Sequence, residues 1–174
     1  MRPIRNGALV FAACLTLVCV SCEQPRPRKF SIYMFGIAQA EFKKRCDKDG
    51  SAVSFWRRDV AGLYRNRSKD GRFIELIPKE AALADAQPTE DLSSIGKRAP
   101  WIGYWLQAIS NEGEKNTSDP DRFAFCAYPA HYEPGRVTYI INENATFFRK
   151  DLGREGGVDV FPSFPQDKGW IRND

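Results

Sequence analysis

The segment FAFCAYPAHY, residues 123–132, holds a cysteine and the chain's one histidine, Cys126 and His131. A thiol beside an imidazole base is the combination that nucleophilic catalysis uses. The two groups must come within about 2.6–3.2 Å, and a third group must orient the base. Cys126 alternates onto one face of a predicted strand, whereas His131 follows Pro129 in a turn. We therefore expect no catalytic residue here and place His131 on a surface loop.

The segment DKDGSAVSF suggests a cation site, because Asp47 and Asp49 stand two apart before a glycine. An EF-hand loop needs its glycine at the sixth position and an acidic residue at the twelfth, where this chain has Arg58. Ser51 and Asp59 leave an irregular cation site open as an alternative. A helix-ending turn explains the same residues more simply, and we expect no metal.

Several aromatic residues could form a stacking platform for sugars or another chain. They are Trp56, Trp101, Tyr104 and Trp105. A small β-rich core uses the same residue types, and Tyr104 alternates to the side opposite Trp101 and Trp105. Core filling is therefore the favoured interpretation.

Acidic residues around one loop are the candidates for glycoside chemistry. They are Glu112, Glu114, Asp119 and Asp121. Such chemistry needs paired carboxylates placed in space, which spacing along the sequence does not reveal.

A helix must precede the strands that carry these groups. The segment FSIYMFGIAQAEFKKRC, Phe30 to Cys46, repeats apolar residues at helical spacing and predicts an amphipathic helix that ends at DKDG. Its predicted apolar face consists of Phe30, Met34, Ile37, Ala38, Phe42 and Cys46. Further on, RFIELI predicts a strand, and the proline after it opens a short helix through KEAALADA.

The second half of the chain reads as strands. The stretches WIGYWLQAIS, RFAFCAYP, RVTYIIN and TFFRKDLG alternate between turn-rich segments, and NENA predicts a tight hairpin. Phe125 and Ala127 should share one face of the second strand, with Ala124 and Cys126 on the other. The tail after these strands suggests little regular structure. We predict an α+β fold in which the N-terminal amphipathic helix packs on an antiparallel β-meander of about four strands.

The N-terminus MRPIRNGALVFAACLTLVCVSC has the layout of a secretory signal over residues 1–22. Its end, CVSC, resembles a bacterial lipobox, with Cys22 as the predicted lipid-bearing residue, although Cys19 stands where such boxes usually carry Leu. Simple cleavage without lipid is the alternative. Residues 23–29 form a Pro/Arg tether, and residues 30–174 form a single α+β domain.

Once the signal is removed and Cys22 is used, Cys46 and Cys126 are the cysteines that remain. An even pair far apart in the sequence is typical of a disulfide in an oxidising compartment. Closing a loop of about 80 residues would stabilise the fold by about 4–5 kcal/mol. Two separate buried thiols remain the alternative, because the sequence gives no distance between the sulfurs.

The formal net charge of +4 falls toward balance when Arg2 and Arg5 leave with the signal. The mature chain carries no stripe of basic residues interleaved with aromatics, so we expect no nucleic-acid partner.

Several phrases of the chain are similar to small exported bacterial proteins of the DUF2950 family, a group of unknown function. They are AQAEFKKRCDKDGSAVSFWRRDVAGLY, ELIPKEAALADAQP, GYW, DRFAFCAYPAHY, TYIINENATFFRKDLG and a late GW. The resemblance runs from about Ile37 to Trp170. It implies a compact exported domain, with a pilin-like arrangement of one helix against an antiparallel sheet, and it supplies no mechanism.

These observations together predict a non-enzymatic cell-envelope lipoprotein without a cofactor. Its domain would act as an interaction or structural module, held to the membrane by the lipid on Cys22 and facing an envelope protein or polymer. An envelope-polymer hydrolase and a pilin-like subunit are the alternatives. The short apolar run that ends at Cys22 argues against assembly through a long hydrophobic helix.

Overall fold

The computed structural model of this chain describes residues 29–48, 55–56, 58–67, 71–114 and 121–173. The predicted signal, its Cys22 and residues 23–28 of the predicted tether lie outside these ranges. Among the described residues, no helix is both long enough and apolar enough to cross a membrane. The predicted α+β fold is confirmed.

Within the described ranges, three helices precede the sheet: α1 (Lys29–Lys48), α2 (Gly62–Arg65) and α3 (Lys79–Leu83). The strands are β1 (Tyr104–Asn111), β2 (Ala124–Pro129), β3 (Thr138–Asn142), β4 (Phe147–Lys150), β5 (Val160–Phe161) and β6 (Ile171–Arg172). Single turns of 3₁₀-helix cover Gly153–Glu155 and Gln166–Lys168.

The strands form one sheet in the order β5-β1-β2-β3-β4-β6. Strands β1 to β4 are the predicted antiparallel meander. The Ala145 amide donates to the Asn142 carbonyl at 2.9 Å and closes the predicted NENA hairpin. Strand β5 pairs parallel with β1, and β6 pairs antiparallel with β4. These two strands lie in the tail that was predicted to be irregular, because two residues are too few to show alternation.

Both faces of the sheet are buried. Phe125 and Ala127 of β2 belong to the core on the side of α1, whereas Ala124 and Cys126 belong to a second core on the opposite side. This alternation is the one predicted for β2. On the first side, the Phe35 ring of α1 stacks on Phe125 with centroids 4.8 Å apart. The chain after β4 covers the second side.

Helix α1 buries Ala38 and Phe42 as predicted, and Met34 packs against the core, but the remaining buried residues were not in the predicted face. The buried residues are Ile32, Phe35, Ala38, Gln39 and Phe42. Ile37, predicted to lie in the core, is 67% exposed. The helix is rotated because Phe35 stacks on the sheet and Gln39 bonds to a loop, and periodicity within one helix does not reveal such partners.

The strand predicted for residues 72–77 is wrong. Phe73 forms a single bridge with Arg67, and Glu75 adopts a φ of 43°, which breaks the extended backbone. The short helix predicted after this segment is confirmed as α3, with Pro78 at its N-cap.

Replacing Phe35 by alanine should lower the free energy of unfolding by about 3–5 kcal/mol, because it removes a buried ring and leaves a cavity. Ile37→Ala is the matched control on the same helix and should change this free energy by no more than about 0.5 kcal/mol. Urea unfolding followed by tryptophan fluorescence measures both. A larger loss for Ile37→Ala would mean that α1 buries the face predicted from its periodicity.

Candidate functional site

Two buried aspartates, Asp59 and Asp85, lie where the loop before α2 meets the segment after α3. Their exposed fractions are 3% and 0%. A carboxylate so far from water stays ionised only if hydrogen-bond donors replace its hydration. The donors found here are backbone amides and neutral side chains.

Asp59 ties three pieces of backbone together. Its Oδ1 accepts hydrogen bonds from the Gly62 amide at 2.9 Å and from Trp56 Nε1 at 3.2 Å. Its Oδ2 accepts from the amide and the hydroxyl of Thr89 at 2.8 and 2.5 Å. Asp59 therefore begins α2 and attaches it to a segment 30 residues further along the chain.

Asp85 acts in the same way from the other side. Its Oδ2 accepts from the Ala61 amide at 2.8 Å and its Oδ1 from the Gln87 amide at 2.9 Å. Burial raises the pKa of Asp85 to about 6, although these two amide bonds lower it. The nearby negative charge of Asp59 adds to the increase in pKa. The structure thus holds a carboxyl group that titrates in the mildly acidic range.

Trp56 connects this polar centre to α1. The buried side chain of Gln39 accepts from the Trp56 amide at 2.8 Å and donates to the Trp56 carbonyl oxygen. The indole Nε1 donates to the carbonyl oxygen of Asp59 at 2.7 Å. The ring covers Gly62, where a Cβ atom would stand 2.0 Å from Trp56 Cζ2. Only glycine fits at that position without moving the indole.

A cavity of about 220 Å³ opens beside Trp56 and Asp59. Its lining combines aromatic rings, cations and amides, namely Trp56, Phe73, Arg65, Arg67, Asn66 and Thr89, with Glu90 among the remainder. Asn66 Nδ2 is buried, and no described residue bonds to it. A buried donor without a partner carries a penalty of about 1–3 kcal/mol, so this atom needs an explanation.

A second concave surface is an open groove of about 690 Å³ between α1 and the β3–β4 turn. Phe55 and Phe123 form apolar walls, and Lys43, Lys44 and Glu143 contribute charged groups. The groove is more apolar than the cavity beside Trp56. It is a broad contact surface, whereas the cavity has the size of a small molecule.

Cys126 and His131 occupy different environments in the structure. The Cys126 side chain is 1% exposed and lies in the second core. Burial raises the pKa of this thiol to about 12. His131 lies after the end of β2 and is exposed, as predicted. A thiol that is hidden from substrate and protonated at neutral pH has little nucleophilic reactivity.

The predicted Cys46–Cys126 disulfide is absent from this structure, in which both residues are thiols. Cys126 faces the core opposite α1, whereas Cys46 lies near the end of α1 and is half-buried. The sheet separates the two sides, so the structure does not bring the sulfurs together.

The other sequence candidates are separated. Asp49, Ser51 and Asp119 lie outside the described residues, as does the side chain of Asp47, whereas Asp59 bonds to protein amides. Within the described ranges, no cluster of three or more potential metal ligands occurs. The four aromatic candidates do not share one platform: Tyr104 is buried in the first core, Trp101 packs against that core and Trp105 stacks with Arg98.

The loop carboxylates hold the loops in place. Glu112 accepts a hydrogen bond from the Ser163 amide at 2.7 Å, and Glu114 accepts from both the amide and the side chain of Asn111 at 3.1 Å. Asp121 is ion-paired with Lys43 at 3.5 Å. These three carboxylates are engaged by protein groups.

Sequence reasoning missed Asp85 and Asn66. Asp85 stands in ALADA, where it follows the buried Ala82 and Ala84. An acid in a small-residue apolar run is the one signal that pointed to a buried carboxylate. Asn66 follows α2 among charged residues and carries no comparable signal.

The fold and this site define an α+β domain in which Asp59 and Asp85 hold loop backbone in place, with a small polar cavity beside them. The chain matches the family described as "Protein of unknown function (DUF2950)" over residues 38–172 and belongs to that family, as its phrases predicted. No curated protein and no solved structure matches it.

Asp85 should make the protein less stable as the pH rises. The folded state holds the Asp85 proton more tightly than the unfolded chain does, so its contribution is complete below pH 3.8 and is lost as the pH rises through about 6. Relative to Asp85→Asn, the wild type should lose up to about 3 kcal/mol of unfolding free energy between about pH 4 and pH 7. Urea unfolding at a series of pH values measures this difference.

Asp91→Asn is the control, because the stability that Asp91 contributes should change with pH in the opposite direction. Asp91 is exposed, and hydrogen bonds from Ser93 lower its pKa. Its contribution is therefore present above the unfolded pKa and is lost as the pH falls. If the difference between wild type and Asp85→Asn stayed constant across the series, Asp85 would have the same pKa folded and unfolded.

Cys126 should resist iodoacetamide in the native protein and react after unfolding in urea without a reductant. Its burial and raised pKa leave almost no accessible thiolate. Half-buried Cys46 should react in the native protein. Intact mass of the exported protein counts the added groups. If neither thiol reacts in urea until a reductant is present, the disulfide predicted from the sequence forms after all.

Proposed function

We propose that this protein is an exported, lipid-anchored protein of the bacterial cell envelope whose single domain is a non-enzymatic interaction module. The lipid is attached to Cys22, and the domain binds an envelope protein or polymer outside the cytoplasm. The proposal that the domain is non-enzymatic rests on the burial and bonding of its carboxyl and thiol groups. Among the described residues, the buried carboxylates and the buried thiol serve the fold.

The buried polar groups support this proposal by their partners. Asp59 and Asp85 bond to amides that the short helices and loops leave without partners. The raised pKa of Asp85 is the kind of perturbation that often marks an active site. Here both carboxylate oxygens face backbone amides, and the side chain is shut off from any substrate. The perturbation is a consequence of burial.

The surface supports a binding role. The groove beside α1 and the cavity beside Trp56 are concave, as the contact sites of ligands and partners commonly are. The lipid anchor rests on the signal-like segment and its CVSC end. No observation favours the hydrolase alternative, since Glu112 and Glu114 accept bonds from loop groups.

Metabolic labelling with an alkyne analogue of palmitate tests the anchor in a bacterial host. The wild-type chain should take up the label and remain with the membranes, because Cys22 bears the lipid. Cys22→Ala should abolish the label. Cys19→Leu is the matched control, since it restores the residue that lipoboxes usually carry, and it should keep or increase the label. Label retained by Cys22→Ala, or a wild-type mature chain of unmodified mass, would contradict the anchor.

A further inference from the structure

We propose that the outer face of helix α1 lies on the membrane surface and fixes the orientation of the domain there. The inference rests on the proposed function, because it takes the lipid on Cys22 as the anchor. It deepens that function by naming phospholipid as a partner of the folded domain. Its basis is an apolar stripe on the side of α1 that faces away from the core.

The outer stripe of α1 consists of exposed residues at helical spacing, namely Tyr33, Ile37, Ala40 and Lys44. At about 100° per residue, all of them lie within an arc of about 60°. The centre of that arc is opposite the buried Phe35 and Phe42. A helix on a protein surface usually turns charged and polar groups away from the core. Here the stripe is uncharged until Lys44, and the apolar Ile37 is 67% exposed.

The two halves of α1 differ in charge. Residues 30–40, FSIYMFGIAQA, contain no charged residue, whereas residues 41–48 contain six. The uncharged half begins where the predicted tether ends. As a helix it extends for about 16 Å, which is roughly half the thickness of the hydrocarbon core of a bilayer. This half of α1 therefore suits a position along the membrane surface and not across it.

Tyr33 is held in a position that suits the boundary between lipid and water. Its ring packs on Phe147 of β4 with centroids 4.3 Å apart, yet the residue stays 41% exposed. Tyrosine combines an apolar ring with a polar hydroxyl and is enriched at membrane interfaces for that reason. Because Phe147 already fixes the ring, contact with lipid would cost this side chain little conformational entropy. At the other end of the stripe, the Lys44 side chain is 65% exposed and lies 3.9 Å from Glu41.

The tether supplies the positive charge on this side of the domain. Residues 23–29, EQPRPRK, hold three basic residues and one acidic residue. Basic residues beside a membrane anchor are attracted to anionic headgroups. The cations of α1 add less, because Lys43 pairs with Asp121 at 3.5 Å and Arg45 pairs with Glu41 at 2.9 Å. The stripe therefore binds through apolar contact, and the tether contributes the electrostatic attraction.

The anchor keeps lipid within reach of the stripe. Residues 23–28 join Cys22 to the start of α1 and extend for at most about 22 Å. A lipid surface held so close is present at a high effective concentration, so a contact that is weak by itself becomes occupied. When α1 lies flat on this surface, the side of the sheet opposite α1 points away from the membrane.

Photocrosslinking to lipid tests this orientation. The full chain is produced in bacteria with Ile37→p-benzoylphenylalanine, and the mature form is placed in vesicles of phosphatidylethanolamine and phosphatidylglycerol. Ultraviolet light should join position 37 to a phospholipid, and intact mass should show the added lipid. Phe164→p-benzoylphenylalanine is the matched control. Phe164 is 70% exposed but lies between Phe161 and Trp170 of the second core, so this position should give no lipid adduct.

Ala40→Glu, combined with the crosslinker at position 37, adds a negative charge to the stripe. It should lower the yield of lipid adduct about fivefold, because a charge beside an anionic surface changes binding by about that factor. Ala99→Glu makes the same change at an exposed alanine outside α1 and should leave the yield unaltered. Unchanged urea unfolding of both variants shows that the fold is intact. Equal yields from Ala40→Glu and Ala99→Glu overturn contact through the stripe.

The intact mass of the same sample separates the stripe from the anchor. If Cys22 carries lipid but position 37 gives no lipid adduct, or position 164 gives as much, the membrane contact of α1 is wrong while the anchor stands. If position 37 is joined to a second copy of the chain, the stripe is a dimer interface and the inference is overturned. If Cys22 carries no lipid, the anchor fails. A lipid adduct formed by that chain with added vesicles then supports the stripe, and its absence overturns the stripe as well.

Discussion

The fold depends on a line of buried polar bonds that runs from α1 to the sheet. Gln39 holds both peptide groups of Trp56, and the Trp56 indole bonds to Asp59. Asp59 holds Thr89, and the segment just before it bonds to Leu106 of β1 through backbone amides. Each buried donor or acceptor left without a partner in this line would cost about 1–3 kcal/mol. The side chains and peptide groups that form these bonds must therefore reach their final positions together.

This constraint explains why two aspartates are buried in the domain. Helix α2 has four residues, and the amide of its first residue, Gly62, bonds to the Asp59 side chain. Amides of the loops around this helix need acceptors in the same way. Asp59 and Asp85 each accept two backbone amides, which the two oxygens of a carboxylate can do at once. The high pKa of Asp85 is the electrostatic cost of that arrangement.

The sequence pattern predicted correctly those features that depend only on neighbouring residues. The alternation in β2 and the NENA turn are properties of adjacent residues, and both were predicted correctly. The buried face of α1 was predicted only in part: Ala38 and Phe42 are buried, but Phe35 was missed because its partner is a ring on β2. Residues 72–77 alternate like a strand, yet the φ of Glu75 prevents pairing. In both cases a distant partner or a backbone turn overrides the period.

The candidate site was hidden for the same reason. Asp59 drew attention only as a neighbour of other acids, and Asp85 had no apparent partner, although their segments lie on either side of one polar centre. Asn66 is notable because its buried Nδ2 has no hydrogen-bond partner among the described residues, and no sequence pattern predicts this. Export signals consist of consecutive residues, so they can be recognised from the sequence alone. Signals for a cavity arise from chain segments that meet only after folding.

The proposed anchor and the folded domain would act as one unit close to the membrane. Helix α1 begins at Lys29, so residues 23–28 separate Cys22 from the fold. Six residues span at most about 22 Å even when fully extended. A small domain on so short a connection stays near the lipid surface, and a high local concentration there favours weak ligands that are fixed in the envelope.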